Sequence, residues 1–207
     1  KKVVDVAMDF SFDSHEGFTR AFRKAFGITP KKYKVNTPPI CLFKYYPIRD
    51  KYLVKNRSDN DIENNMKGCN FFTQVMDFPE RKFIFKRGLE AEEYFKYMDE
   101  VGVDVWGILC SIKEALNEPV GMWLPEKFIK EGTSKYVQGV EVPKDYNGVI
   151  PDGFEVVILP KCKMMIFQGE PFEDENFYIY ISNLSKAIDR YNPSIYGYEW
   201  AMENYPC

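Results

Sequence analysis

The chain has 207 residues, 28 basic against 31 acidic side chains and one histidine; 45% of its residues are apolar and 16% aromatic. That length and composition suit one or two domains with a substantial core, and argue against a disordered or fibrous chain. With no signal-peptide pattern and no apolar run near the roughly 20 residues that span a bilayer, the chain reads as soluble with no membrane partner. Its five cysteines, Cys41, Cys69, Cys110, Cys162 and Cys207, are odd in number and lack C-x-x-C spacing, so neither a disulfide framework nor a metal site is indicated. A reducing cytoplasm is the expected setting, and no cofactor motif is found.

In chain order, Val3, Val4, Ala7, Met8 and Phe12 give a first helix an apolar face. A second helix is predicted from Ser14 to Phe26, where Phe18, Ala21, Phe22, Ala25 and Phe26 fall on one stripe of a 3.6-residue period. Asp13 and Ser14 offer capping oxygens at its start, Gly27 supplies a left-handed stop, and Thr29-Pro30 opens a further short helix. The opposite face carries His15, Glu16, Thr19, Arg20 and Arg23, an attitude in which a helix can enter a major groove; the plainer alternative is a solvated face of an ordinary bundle. Residues 1–34 hold eight basic and four acidic side chains, a balance of +4, against 20 basic and 27 acidic, −7, in the remainder. Phosphate would attract only the first part.

Val35–Gly68 reads as a connector, opened by Pro38-Pro39 and dominated by polar residues, with Ile40–Tyr46 as a weak strand or packed segment. Beyond it an internal repeat is expected. Phe72-x6-Pro79-x5-Phe85-x-x-Gly88 is answered by Phe154-x5-Pro160-x6-Phe167-x-Gly169, and Gly121-Met-Trp123 by Gly197-Tyr-Glu-Trp200. Helices are predicted at Ala91–Leu116 and Asp174–Tyr191. The whole is therefore read as α+β, its C-terminal part built from two β-β-α-β-β repeats forming one antiparallel sheet with helices on one side and a cleft between the halves.

Two resemblances sharpen this. The string A-x-x-x-x-F-x-S-x-x-x-F-x-R-x-F-x-x-x-F-G-x-T-P-x-x-Y, from Ala7 to Tyr33, resembles the second helix-turn-helix of AraC/XylS-type transcription regulators, with Ser11 where that family commonly has glycine. The resemblance implies base contacts from His15, Glu16, Thr19 and Arg20, and phosphate contacts from Arg23, Lys31 and Lys32. With the family's first helix-turn-helix outside the sequence, DNA binding by this fragment is expected to be weak. From residue 70 onward, VDVWGILCSIKEAL, EGTSKYVQGVEVP and YGYEWAMENYP resemble the GyrI-like effector-binding domain found behind such modules. That implies domains at 1–34 and 70–207 joined by 35–69, with a last strand following Pro206.

It further implies that Glu199 is a buried glutamate on a late strand, facing an aromatic pocket that takes lipophilic cations. A carboxylate in an apolar cavity is costly to ionise unless an organic cation offsets its desolvation while stacking on aromatic rings. Trp106, Trp123, Tyr136, Tyr146, Tyr196 and Tyr198 are the candidate rings, and Glu141 a second candidate acid with an exposed strand position as its plainer identity. The expected function is a ligand-responsive transcription regulator, not an enzyme. The alternative is a GyrI-like hydrolase of electrophilic small molecules with Glu199 as general base; no G-x-S-x-G, H-E-x-x-H or P-loop pattern supports it. Effector identity, operator and oligomeric state are not set by the sequence.

Overall fold

A computed structural model describes residues 1–12, 14–42, 71–201, 203 and 205. Among them are six α-helices and two antiparallel sheets, a mixed α+β architecture. Most of the connector, residues 43–46 of the strand or packed segment expected at Ile40–Tyr46, Asp13, Cys69, Cys207 and the strand expected after Pro206 lie outside the described residues. No helix among the described residues is long and apolar enough to cross a membrane.

The N-terminal helices are α1 (Val3–Asp9), α2 (His15–Phe26) and α3 (Pro30–Val35). Ser14 caps α2 by accepting the Gly17 amide, and Gly27, at φ 70°, ends it in the left-handed region. Thr29 caps α3 in the same way, with Pro30 in its first turn. Between α1 and α2, Ser11 is left-handed at φ 58°, a conformation that costs an L-residue and not glycine. One interior seam is aromatic: Phe12, Phe18, Phe22, Phe26 and Tyr33 meet at centroid separations of 4.7–5.8 Å. The predicted stripe is thus only partly inward. Ala21 and Ala25 are exposed, as are Val4 and Met8 of α1, because the packed face of α2 follows its phenylalanines at four-residue steps.

The C-terminal body contains β1 (Phe71–Phe78), β2 (Arg81–Arg87), α4 (Tyr94–Val101), α5 (Asp104–Leu109), β3 (Val120–Trp123), β4 (Tyr136–Pro143), β5 (Glu155–Leu159), β6 (Cys162–Gly169) and α6 (Phe177–Asp189). In place of the expected single sheet, the strands divide into a four-stranded sheet, β3-β4-β2-β5, and a two-stranded ribbon, β1-β6. The division is a bend. Phe78 faces Cys162 on the ribbon side and Arg81 faces Leu159 on the sheet side, so the register continues without slipping across Pro79-Glu80 and Pro160-Lys161. Prolines that cannot donate to a ladder sit where the ladder breaks. The repeat read in the sequence is therefore two copies of one bent strand, laid antiparallel against each other.

The predicted helix over Ala91–Leu116 is two short helices, because Gly102 takes φ 89° and turns the chain between α4 and α5. Glu93 caps α4 through the Phe95 and Lys96 amides. Glu100 accepts the amides of Leu89, Glu90 and Ala91 at 2.7–3.3 Å, fixing the entry loop. The predicted helix at Asp174–Tyr191 appears as a short 3-10 turn leading into α6, whereas residues 197–200, expected to mirror β3, form no strand.

The core lies on both faces of the four-stranded sheet. On one, Ile84, Val140 and Val142 pack against Val105, Leu109 and Ile112 from and just after α5. On the other, Phe83, Phe85, Val137 and Leu159 pack against Met122 and Leu124. The ribbon is more open: Phe72, Val75 and Met76 are exposed, and α6 buries no residue completely.

Candidate functional site

The structure does not bring the sequence-predicted ligand residues together at one site. Tyr198 and Glu199 come together beside the ribbon. They line a groove of about 390 Å³ with Trp200 and Tyr205 on one side and Val75, Met164 and Met165 of β1 and β6 on the other. Pro193 starts the 3-10 turn (Pro193–Tyr196) that carries the chain from α6 to this wall, and Gly197, left-handed at φ 76°, turns it there. Tyr196, 66% exposed, is not in the groove; it stacks on Tyr191 at 6.3 Å.

Trp123 and Tyr136 form a second group at the β3-β4 edge. Their rings meet edge-on at 5.1 Å, and Tyr136 meets Tyr97 at 5.6 Å. Trp123 Nε1 donates to the Glu92 carbonyl at 2.8 Å, and Tyr97 Oη to the Lys86 carbonyl at 2.7 Å. Burial, ahead of the neighbouring ionisable groups, pushes the Tyr136 phenol up to about 12 and the Tyr97 phenol further in the same direction. Gly121 leaves room for the Tyr136 ring: a Cβ there would overlap its hydroxyl oxygen and ring carbons. Tyr136 is therefore a core residue. Trp106 on α5 and Tyr146, whose hydroxyl donates to the Val149 carbonyl, are half-buried elsewhere and do not line the groove.

The acids exchange the roles expected of them. Glu199 is exposed and lies on no strand, so the buried carboxylate implied by the resemblance is not found; the segment that carries it lies along the outside of the ribbon instead of joining a sheet. Glu141, read as a second candidate pocket acid or an exposed strand residue, is neither in the groove nor exposed but buried. It accepts from Arg81 Nε at 2.7 Å, with the two side chains 10% and 2% accessible, so its charge is already matched within the protein. Arg81 also approaches two residues that line the groove: Nη1 is 4.0 Å from the Cys162 thiol and Nη2 3.8 Å from the Met164 thioether, and the guanidinium lies 4.9 Å over Phe78. Lys163, at the groove, donates to Asp77 at 2.8 Å, a pair that holds the ammonium above its ordinary range.

Sequence reasoning missed Val75, Met164, Met165, Trp200 and Tyr205. Trp200 and Tyr205 stood in a motif already singled out; Val75, Met164 and Met165 gave no signal, since alternating strand residues look alike whichever face is closed.

Of the residues proposed for DNA, His15, Glu16, Arg20, Arg23, Lys31 and Lys32 are all exposed, on α2 and the first turn of α3. Thr19 is not with them. Its Oγ1 is covered by protein without a hydrogen-bond partner among the described residues, so the hydroxyl does not face outward.

Among the described residues no three His, Cys, Asp or Glu side chains gather as metal ligands would. Comparison with known proteins adds no assignment: no protein-family model matches the chain, and no curated protein matches it significantly.

Proposed function

We propose that this chain is a ligand-responsive transcription regulator, binding DNA through its N-terminal helices and a lipophilic cation in the groove beside the ribbon. The observation that carries the reading is the convergence of Tyr198, Trp200 and Tyr205 with the Glu199 carboxylate on one apolar groove. An organic cation placed there stacks on ring faces, buries apolar surface against Val75, Met164 and Met165, and gains a carboxylate neighbour. Because Glu199 is exposed, the ion pair is worth about 1 kcal/mol, and the rings supply most of the affinity.

The N-terminal part supports the DNA side. Arg20, Arg23, Lys31 and Lys32 are each exposed in residues 1–34, whose balance is +4, while the acidic remainder repels phosphate. A ligand alters such a regulator only by favouring one arrangement of the two parts over another.

The test is fluorescence anisotropy of a labelled duplex titrated with the full chain, with and without saturating tetraphenylphosphonium. The reading predicts an apparent affinity that falls steeply with salt and shifts at least threefold with the cation. An affinity indifferent to both contradicts it.

A further inference from the structure

Residues 37–42 belong to no helix or strand, yet every one of them is half-buried. They leave α3 through Pro38-Pro39, a stiff pair, and lie as a strap on α5. The Ile40 amide donates to Ser111 Oγ at 2.8 Å, and that hydroxyl donates to the Ile108 carbonyl at 2.6 Å. The Cys41 thiol points at the Asp104 carbonyl. Gly107 lies under Leu42 so closely that a Cβ on it would overlap the Leu42 carbonyl oxygen. Alanine is about 1 kcal/mol the better helix former, so a glycine inside α5 is costly to the helix itself and is explained by the strap crossing it.

The seat connects to the groove by contiguous contacts. The segment after α5 runs into Leu116, whose amide donates to the Glu141 carbonyl at 2.8 Å. The Glu141 side chain holds Arg81, and Arg81 supports Cys162 and Met164, two residues that line the groove. We propose that the strap is a latch whose hold on α5 depends on the Arg81–Glu141 pair, so that occupancy of the groove is passed through α5 to the N-terminal helices. This rests on the groove being a ligand site; the latch itself is a property of the empty protein. Moving Arg81 shifts Glu141, the hydrogen bond to Leu116 follows, and the Ser111 hydroxyl that holds Ile40 is displaced with α5.

Amide exchange of the full chain, followed by NMR at Ile40, Ile84 and Val140, decides it. In Glu141→Gln the Ile40 amide is expected to exchange at least fivefold faster beyond any rise at Ile84 and Val140, although Glu141 lies on β4 and the strap rests on Ser111 and Gly107. Gly107→Ala should raise it similarly. Unchanged exchange at Ile40 in Glu141→Gln, or a rise only parallel to the core amides, overturns the latch. Should Glu141→Gln not fold, Met164→Leu, which removes a sulfur partner of Arg81 and is compared without ligand because Met164 also lines the groove, takes its place with a twofold threshold. Saturating tetraphenylphosphonium should shift Ile40 exchange at least threefold in the parent chain and not in Gly107→Ala. Binding of the cation without that response overturns the latch and leaves the ligand site standing. If the cation does not bind at all, the ligand reading fails and the Glu141→Gln comparison alone decides the latch.

Discussion

Ser11 is the one non-glycine residue among those described with positive φ, at 58°. Relieving a left-handed side chain outweighs the extra unfolded-state entropy of glycine here, so Ser11→Gly is expected to stabilise the N-terminal helices by about 0.5–1 kcal/mol, read from the denaturation midpoint. Gly121→Ala acts in the other direction: its methyl meets the Tyr136 ring, and overpacking of this kind costs about 1–3 kcal/mol. The same ring sets an alkaline limit. The folded protein holds the Tyr136 and Tyr97 phenols neutral above the ordinary value of 10, so their contribution is complete below pH 10 and is lost as pH rises toward about 12. Tyr136→Phe should flatten that loss in urea titrations at stepped pH; an unchanged alkaline slope would show that the phenol is not under this constraint. The capping pattern around α2 was legible because Ser, Gly and Thr-Pro act on their own neighbours. The burial of the Thr19 hydroxyl was not, because it depends on how far α2 is rotated toward α1 and α3.

At the level of elements, the repeat built around Pro79 and Pro160 was visible in the chain, but its meaning was not. Sequence shows that two segments are alike; only the register shows that they pair with each other across a shared bend. The Arg81–Glu141 pair was hidden for the same reason, since Glu141 faces Phe83 and reaches Arg81 diagonally, a relation fixed by strand alignment and not by spacing along the chain. Removing one partner leaves a buried charge unmatched, so Glu141→Gln should cost about 3 kcal/mol, whereas Arg81→Met with Glu141→Leu should recover most of that loss. Chemical denaturation of the two variants checks both values; equal destabilisation would show that the pair is not the source. The break at Gly102 passed unread because a glycine within a periodic apolar segment is compatible with a helix until its φ is known.

Across the molecule, the division of charge, +4 in residues 1–34 and −7 beyond, follows the division between the N-terminal helices, joined by a half-buried aromatic seam, and the C-terminal body with its buried core. The cleft expected between two halves of one sheet is replaced by a groove on the outside of the ribbon. Tyr198 and Glu199 were found in the sequence by their place in a motif, while the burial of Glu199 was overestimated, since exposure depends on whether residues 197–200 join a sheet. The groove still combines rings, apolar strand residues and a carboxylate, and a preference for charged ligands would distinguish the proposed site from an ordinary greasy surface. Calorimetric titration of the full chain with tetraphenylphosphonium and with neutral triphenylphosphine oxide, each repeated in Glu199→Gln, measures that preference. The cation is expected to bind about fivefold to tenfold more tightly than the neutral compound, a difference that disappears in Glu199→Gln; equal affinity for both compounds, or a preference that survives the substitution, would contradict a cation site in the groove.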